Sequence, residues 1–326
     1  MLLPTITTQR ASLRKVLLLS GALGMLAVTT TDEAVEISSS INFVEPIIDG
    51  ESVHAWSPDG GRVMLAEFQK SDQLIHLCVY RVATRKKEKC IYFIRHQPDL
   101  GIYSIDWTDA YIHVGVGFNE GSVGIYALTV PDWEKPDFKE LDMAKFKPLS
   151  GDQVRGGPAW DQWERGLFCY GEDERYGIQF VPKGGKPKKY VSGEGPKVTR
   201  HYLWYTAYAE DGNFTRDGIS RIEKATGKVS KLTTKHIDVS VSPRQDEKAA
   251  LFIRNGARSS EAALYAYVEG KGVIGPLVLG DKKIEEQLRS IDLSPDGKQA
   301  LLLSSYAVGP EKLKAVVTIK LLSVRW

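Results

Sequence analysis

Trp56-Ser57-Pro58-Asp59-Gly60 decides how this chain folds, because the stretch returns. Ser294-Pro295-Asp296-Gly297 repeats it near the C-terminus, and Ser242-Pro243 followed by Asp246 reads as a looser copy between them. Each copy follows a short alternating run and precedes a strongly apolar one, at residues 63–66, 249–253 and 300–303. That order predicts strand, tight turn, strand. Turn chemistry accounts for the residues themselves: proline presets φ, aspartate accepts from nearby backbone amides, and glycine takes the left-handed position. The aspartates are therefore read as turn-formers and not as catalytic groups.

Working outward, each turn joins the first two strands of a longer unit. Residues 53–56, 63–68, 74–80 and 90–94 make one unit of four strands linked by hairpin-length connections. The order recurs from residue 103, with a long connection holding Pro131 and Pro136 before its outer strand, and again from residues 158, 197, 237 and 290. Anchored on Trp56, Trp107, Trp160, Val198, Val241 and Leu293, the units repeat roughly every 38 to 53 residues, as blades of a propeller do. The prediction is an all-β, six-bladed β-propeller of four-stranded antiparallel blades. The sixth unit runs one strand short. The surplus extended segment at 41–48 is expected to pair with 316–322 and close the ring, since an open ring would expose a strand edge.

The chain has 326 residues, 42% of them apolar and 26% charged. Net charge is +2, of which Arg10, Arg14 and Lys15 supply +3 within the first thirty residues, so the remainder carries −1. That excludes a general nucleic-acid binder, which needs a basic surface to displace counterions. Those three cations lead into an apolar run at 16–28, then Thr29, Thr30 and Thr31, then Asp32 and Glu33. Residues 1–30 read as a signal peptide or an uncleaved signal anchor, and 31–326 as the propeller. The run is shorter than the ~20 residues of a spanning helix. The expected location is periplasmic or secreted, with membrane tethering through the leader as the alternative.

Cys78 and Cys90 flank the turn at 84–87 almost symmetrically, so a hairpin there sets them opposite each other. In an exported protein they form a disulfide or remain two packed thiols. Cys169 reads as a buried strand residue.

The repeated Ser-Pro-Asp-Gly turns, preceded by Trp or Leu and by an export signal, resemble the TolB-type six-bladed propeller family. The resemblance spans about residues 40–326 and is complete only at Ser57 and Ser294. It implies an exported module that binds other proteins, on a fold that also occurs fused to hydrolase domains. No second domain is expected here, and the additional N-terminal domain of TolB has no counterpart, so its particular partners do not carry over.

The six histidines show no metal-ligand spacing, and no Gly-x-Ser-x-Gly, His-Glu-x-x-His or phosphate-binding glycine loop is present. No metal and no cofactor are expected. Propellers bind where the loops leading into the innermost strands converge; by topology His54, Asp99, Arg155, Arg200, His236 and Arg289 are the candidates for one channel mouth. The expected function is a non-catalytic protein-binding or scaffolding module, monomeric outside its complex, with a protein partner. The alternative is a propeller enzyme, a lyase, lactonase or glycan-active hydrolase, that uses loops at the mouth.

Overall fold

The computed structural model describes residues 35–326 except 46, 49–52, 70–73, 96–99, 110, 119–122, 130–138, 141–153, 172–176, 184, 187, 210–214, 257–260, 280–285 and 309–313. The leader at 1–30 and Asp99 lie outside the described residues.

The chain begins with β1 (Glu36–Asn42) and β2 (Ile47–Ile48). The first sheet follows as β3 (Val53–Trp56), β4 (Arg62–Gln69), β5 (Leu74–Arg81) and β6 (Lys86–Arg95), each antiparallel to the last. The second holds β7 (Leu100–Trp107), β8 (Tyr111–Phe118) and β9 (Val123–Thr129). β10 (Lys139–Glu140) then pairs in parallel with β6, back on the first sheet. The third sheet is β11 (Val154–Asp161), β12 (Gly166–Gly171), β13 (Gly177–Pro182) and β14 (Lys188–Val191), and the fourth is β15 (Gly193–Val198), β16 (Tyr202–Tyr208), β17 (Arg216–Glu223) and β18 (Val229–Lys231). The fifth is β19 (Asp238–Pro243), β20 (Ala249–Arg254), β21 (Ala263–Val268) and β22 (Gly272–Leu277). The last contains β23 (Gln287–Leu293), β24 (Gln299–Val308) and β25 (Lys314–Arg325).

The expectation of four-stranded blades holds for five sheets among the described residues; the second has three strands. The outer strand expected after the long connection falls within residues 130–153, of which only Lys139 and Glu140 are described. Lys139 and Glu140 lie against Tyr92 and Phe93 on the open edge of β6, where a ten-residue outer strand offers unpaired backbone groups. No helix among the described residues is long and apolar enough to cross a membrane.

The last sheet gains its outer strand from the start of the chain. β1 pairs antiparallel with β25 from Glu36↔Arg325 to Asn42↔Lys320, and β2 continues with Ile47↔Val317 and Ile48↔Val316. Between them Phe43 N–H donates to Ile319 O at 2.7 Å. Its buried ring packs with Tyr80, Leu65, Leu301 and Leu321, which ties the last sheet to the first.

The turns follow the predicted chemistry. Ser57 Oγ donates to Asp59 Oδ1 at 2.5 Å, Gly61 N–H donates to the same oxygen at 2.9 Å, and Gly60 takes φ +70°. Ser294, Asp296, Lys298 and Gly297 repeat the arrangement. The fifth sheet departs from the expected register. Ser242 and Pro243 end β19, and the turn is Arg244-Gln245-Asp246-Glu247, with Glu247 N–H donating to Arg244 O at 3.0 Å. Asp246 accepts from Lys248 N–H at 3.1 Å, as Asp59 and Asp296 do from their neighbours. Glu247, at φ +63°, therefore occupies the glycine position, and Pro243, not Val241, matches Trp56. The carboxylate that caps the turn marks the repeat; the Ser-Pro pair does not.

Cys78 and Cys90 face each other across β5 and β6 and are joined as a disulfide. Cys169 is a buried free thiol, pushed up to about 12 by burial.

Candidate binding site in the channel and its mouth

The inner strands are the first of each sheet, and neighbours run the same way. Along β19 and β23, Ile291 N–H donates to Ser240 Oγ at 2.9 Å and Leu293 N–H to Ser242 Oγ at 2.8 Å. One residue before Trp56, Trp107, Trp160, Val198, Pro243 and Leu293 stand Ala55, Asp106, Ala159, Lys197, Ser242 and Asp292. All of them line one cavity of about 230 Å³. Small and charged residues alternate round this layer, so the charges of three non-adjacent sheets meet without crowding.

Lys197 Nζ donates to Asp292 Oδ1 at 2.9 Å, and Ser242 Oγ donates to the same oxygen at 3.2 Å. Burial alone would lower Lys197; the charges of Asp292 and Asp106 hold it above the usual lysine value. Asp106 has no such close cation. Its Oδ2 accepts the Trp160 N–H at 2.8 Å, but burial dominates and pushes its carboxyl up to about 6, with the Asp292 charge adding to the shift. The layer thus sets two aspartates against one lysine. His113, 1% exposed, places Nδ1 4.0 Å from Asp106 Oδ2 and stacks on Trp160 at 5.0 Å. Burial drives it down to about 4, so it is neutral at pH 7.

Above the charged layer, at the end where the turns lie, the channel widens to about 600 Å³, lined by Trp56, Trp107, Trp160, Trp163, Arg200 and the turn prolines. Trp56 Nε1–H donates to Asp292 O at 3.1 Å, which fixes its ring to the layer below. Trp163 is 48% exposed on the β11–β12 turn. Its own N–H and that of Glu164 donate to Asp161 Oδ1 at 2.9 and 3.0 Å, while Asp161 Oδ2 accepts from Lys224 Nζ at 2.6 Å. The Lys224 ammonium lies 4.8 Å from the centre of the Trp163 ring. A fully buried ion pair thus presents an exposed indole.

The residues singled out by sequence do not share one mouth. His54 lies on β3 next to the charged layer; its Nδ1 is buried without a hydrogen-bond partner, and burial lowers its pKa against the pull of Asp292. Arg200 follows β15 and lines the turn-side mouth. His236 precedes β19 and is exposed, and Arg289 lies on β23 with Nε donating to Ser305 Oγ at 2.9 Å. Those two belong toward the other end of their strands, so grouping Arg200 with them is corrected by β15 ending at Val198. Arg155 is on β11, paired through its backbone with Tyr170; its side chain, like Asp99, is outside the described residues.

Sequence reading missed Asp106, Lys197, Asp292 and His113. For Asp106, Lys197 and Asp292 the signal was present one position before an anchor, but the fifth anchor was two residues out of register, so the column could not be read round the ring; His113, on β8, had no such signal.

No protein-family model and no curated protein matches the sequence. Solved structures do. TolB from Acinetobacter baumannii superposes with a TM-score of 0.56 at 15% identity, over 82% of this chain and 66% of that one. A putative TolB from Agrobacterium tumefaciens gives 0.53 at 13%, over 90% and 97%. The chain has a TolB-like β-propeller fold. At such identities the likeness carries the fold alone, and this TolB-like chain spans about two thirds of the Acinetobacter protein. The β-propeller domain of the Trilobed protease from Pyrococcus furiosus, at a TM-score of 0.50 and 12% identity over 84% and 80%, has an open velcro topology. In the TolB-like chain β1 instead pairs with β25.

Proposed function

We propose that this TolB-like propeller is an exported, non-catalytic binding or scaffolding module that holds an extended segment of a protein partner at the turn-side mouth of its channel. The observation that carries the reading is the convergence of Trp56, Trp107, Trp160 and Trp163 on one opening of about 600 Å³. Tryptophan is prominent among the few residues that dominate interface energy. Trp163 is already fixed by the Asp161–Lys224 pair, so binding need order little. The opening suits a few residues of extended chain and not a folded domain.

The full reading is a six-bladed ring in which the three-stranded second sheet counts as a blade. Residues 1–30 act as the leader to the periplasm or the exterior, and 31–326 form a propeller that is monomeric outside its complex. His54 and Arg200 serve the channel and this mouth; His236 and Arg289 serve the opposite opening.

Affinity capture from a periplasmic or secreted fraction tests it. The wild type should recover a defined protein that Trp163→Ala, with Asp161 and Lys224 kept, largely loses. A folded wild type that captures nothing and turns over a sugar or an ester would replace the reading with its enzymatic alternative. One observation favours that rival: the Asp106 carboxyl, pushed up to about 6 inside the channel, has the value a general acid needs near neutral pH. In that case Asp106→Asn should abolish turnover.

A further inference from the structure

We infer that His76, Cys78 and Cys90 form a metal site, masked by the Cys78–Cys90 disulfide when oxidised and open to a soft divalent cation such as zinc when reduced. His76 and Cys78 stand two apart on β5 and therefore share a face, and Cys90 lies opposite Cys78 on β6 beside a bulge. One ring nitrogen and the two sulfurs all lie within 4.8 Å of one another. Tetrahedral zinc, with Zn–S near 2.3 Å and Zn–N near 2.0–2.1 Å, sets its ligands roughly 3.5–3.8 Å apart. Reaching that spacing from the present one calls for side-chain rotation within the hairpin once the sulfurs part.

Charge and softness select the ion. Cys78 is fully buried in the apolar cluster between the last and first sheets, beside residues such as Phe43, Leu65 and Leu321. Two thiolates neutralise a divalent cation and a neutral imidazole adds nothing, so the complete site brings no net charge into that cluster. Calcium and magnesium require oxygen ligands. Glu67, opposite His76, already accepts from Tyr80 Oη and from Lys87 Nζ at 2.6 Å. Zinc with three protein ligands takes a water as the fourth. A cavity of about 620 Å³ reaches the neighbours of the site, Glu67 opposite His76 and Tyr80 two residues from Cys78, without touching the three ligands themselves.

The two states interconvert with balanced chemistry. A dithiol reductant supplies two electrons and two protons, the S–S bond breaks to give two thiols, and the reductant becomes a disulfide. Metal binding then forms two sulfur–metal bonds and releases both thiol protons to solvent. Either state cross-links β5 to β6.

The test uses the full chain reduced with a phosphine, which competes little for metal, and cobalt(II) as the probe. Reduced protein should bind one equivalent, with thiolate-to-cobalt charge-transfer bands and tetrahedral d–d bands that zinc displaces; oxidised protein should show neither. Cys90→Ser should remove the charge-transfer signal of a two-thiolate site, and His76→Ala should weaken binding by about tenfold or more. Reduced, folded protein without these bands, equal binding by oxidised protein, or wild-type affinity in His76→Ala would each overturn the proposal. If reduction unfolds the chain, recovery of the β-sheet circular dichroism on adding zinc supports the site, and no recovery overturns it.

Discussion

Between Asp106 and His113 lie 4.0 Å, and His113 Nδ1 makes no hydrogen bond. Their ionisations act on stability with opposite signs. Asp106 rises from 3.8 to about 6 on folding, so between those values the native state holds the extra proton and stability falls as pH rises. His113 drops from 6.5 to about 4, so between those values the unfolded state holds more protons and stability is lost as pH falls. His54, lowered by burial, adds to the histidine side. Wild-type stability should therefore fall modestly as pH drops from 6.5 to 4, by the part of the histidine effect that Asp106 does not cancel. Asp106→Asn should become markedly acid-labile across that window, and His113→Phe should flatten or reverse the slope, both read from urea midpoints at a series of pH values. Unchanged slopes in the two variants would remove the assignment. A second residue-scale test concerns Lys224, 4% exposed against an Asp161 that is wholly buried. Lys224→Met strands that carboxylate and should cost about 3–5 kcal/mol in denaturant unfolding; a loss below about 1 kcal/mol, the range of surface pairs, would show the pair to be solvated.

Strands and turns carry the next set of consequences. β1 covers the outer edge of β25, and Phe43, 2% exposed, plugs the seam between the last and first sheets. Deleting residues 35–45 exposes the edge of β25 from Ile319 to Arg325 and the apolar seam. The truncated protein should melt at a lower temperature and associate with rising concentration, because free edges pair with other chains; thermal scanning and light scattering together check it, and an equally stable monomer would argue against closure by this strand. The pairing of 41–48 with 316–322 was legible because the last unit ended a strand early, a deficit that pattern alone exposes. The turn at 244–247 was not legible. Glu247 in a left-handed position breaks the glycine rule, and its carboxylate compensates by accepting the His201 N–H at 2.6 Å and meeting His201 Nδ1 at 2.8 Å, partners 46 residues away that no local pattern announces. Nor was β10, because two residues have no period and their pairing depends only on which edge is open. Topology pointed to the loops entering the innermost strands, at the end away from the turns, and the tryptophans of the turn-side mouth were used only as anchors of the repeat.

At the scale of the whole ring, stability depends on each sheet gripping the next. Apolar clusters bridge the first and second sheets around Leu77 and Ile112, the third and fourth around Phe168 and Leu203, the fourth and fifth around Trp204 and Phe252, the fifth and last around Leu264 and Leu302, and the last and first around Phe43. Between the second and third sheets the described residues give a different join: the His113–Trp160 stack and the Asp106–Trp160 hydrogen bond, with Leu167, Cys169 and Val181 clustered on the third sheet alone. Among the described residues this join is polar and aromatic, and it holds the channel carboxylate at the same time. Removing the stack should loosen this join locally, so His113→Ala should speed amide hydrogen exchange in β7, β8 and β11 while leaving β16, β20 and β24 unchanged. A segment bound at the tryptophan mouth would touch both sides of this seam through Trp107 and Trp160 and should slow exchange there most. Equal acceleration round the ring in His113→Ala, or slowing by a bound partner that is no greater here than elsewhere, would contradict the coupling of this seam to the mouth.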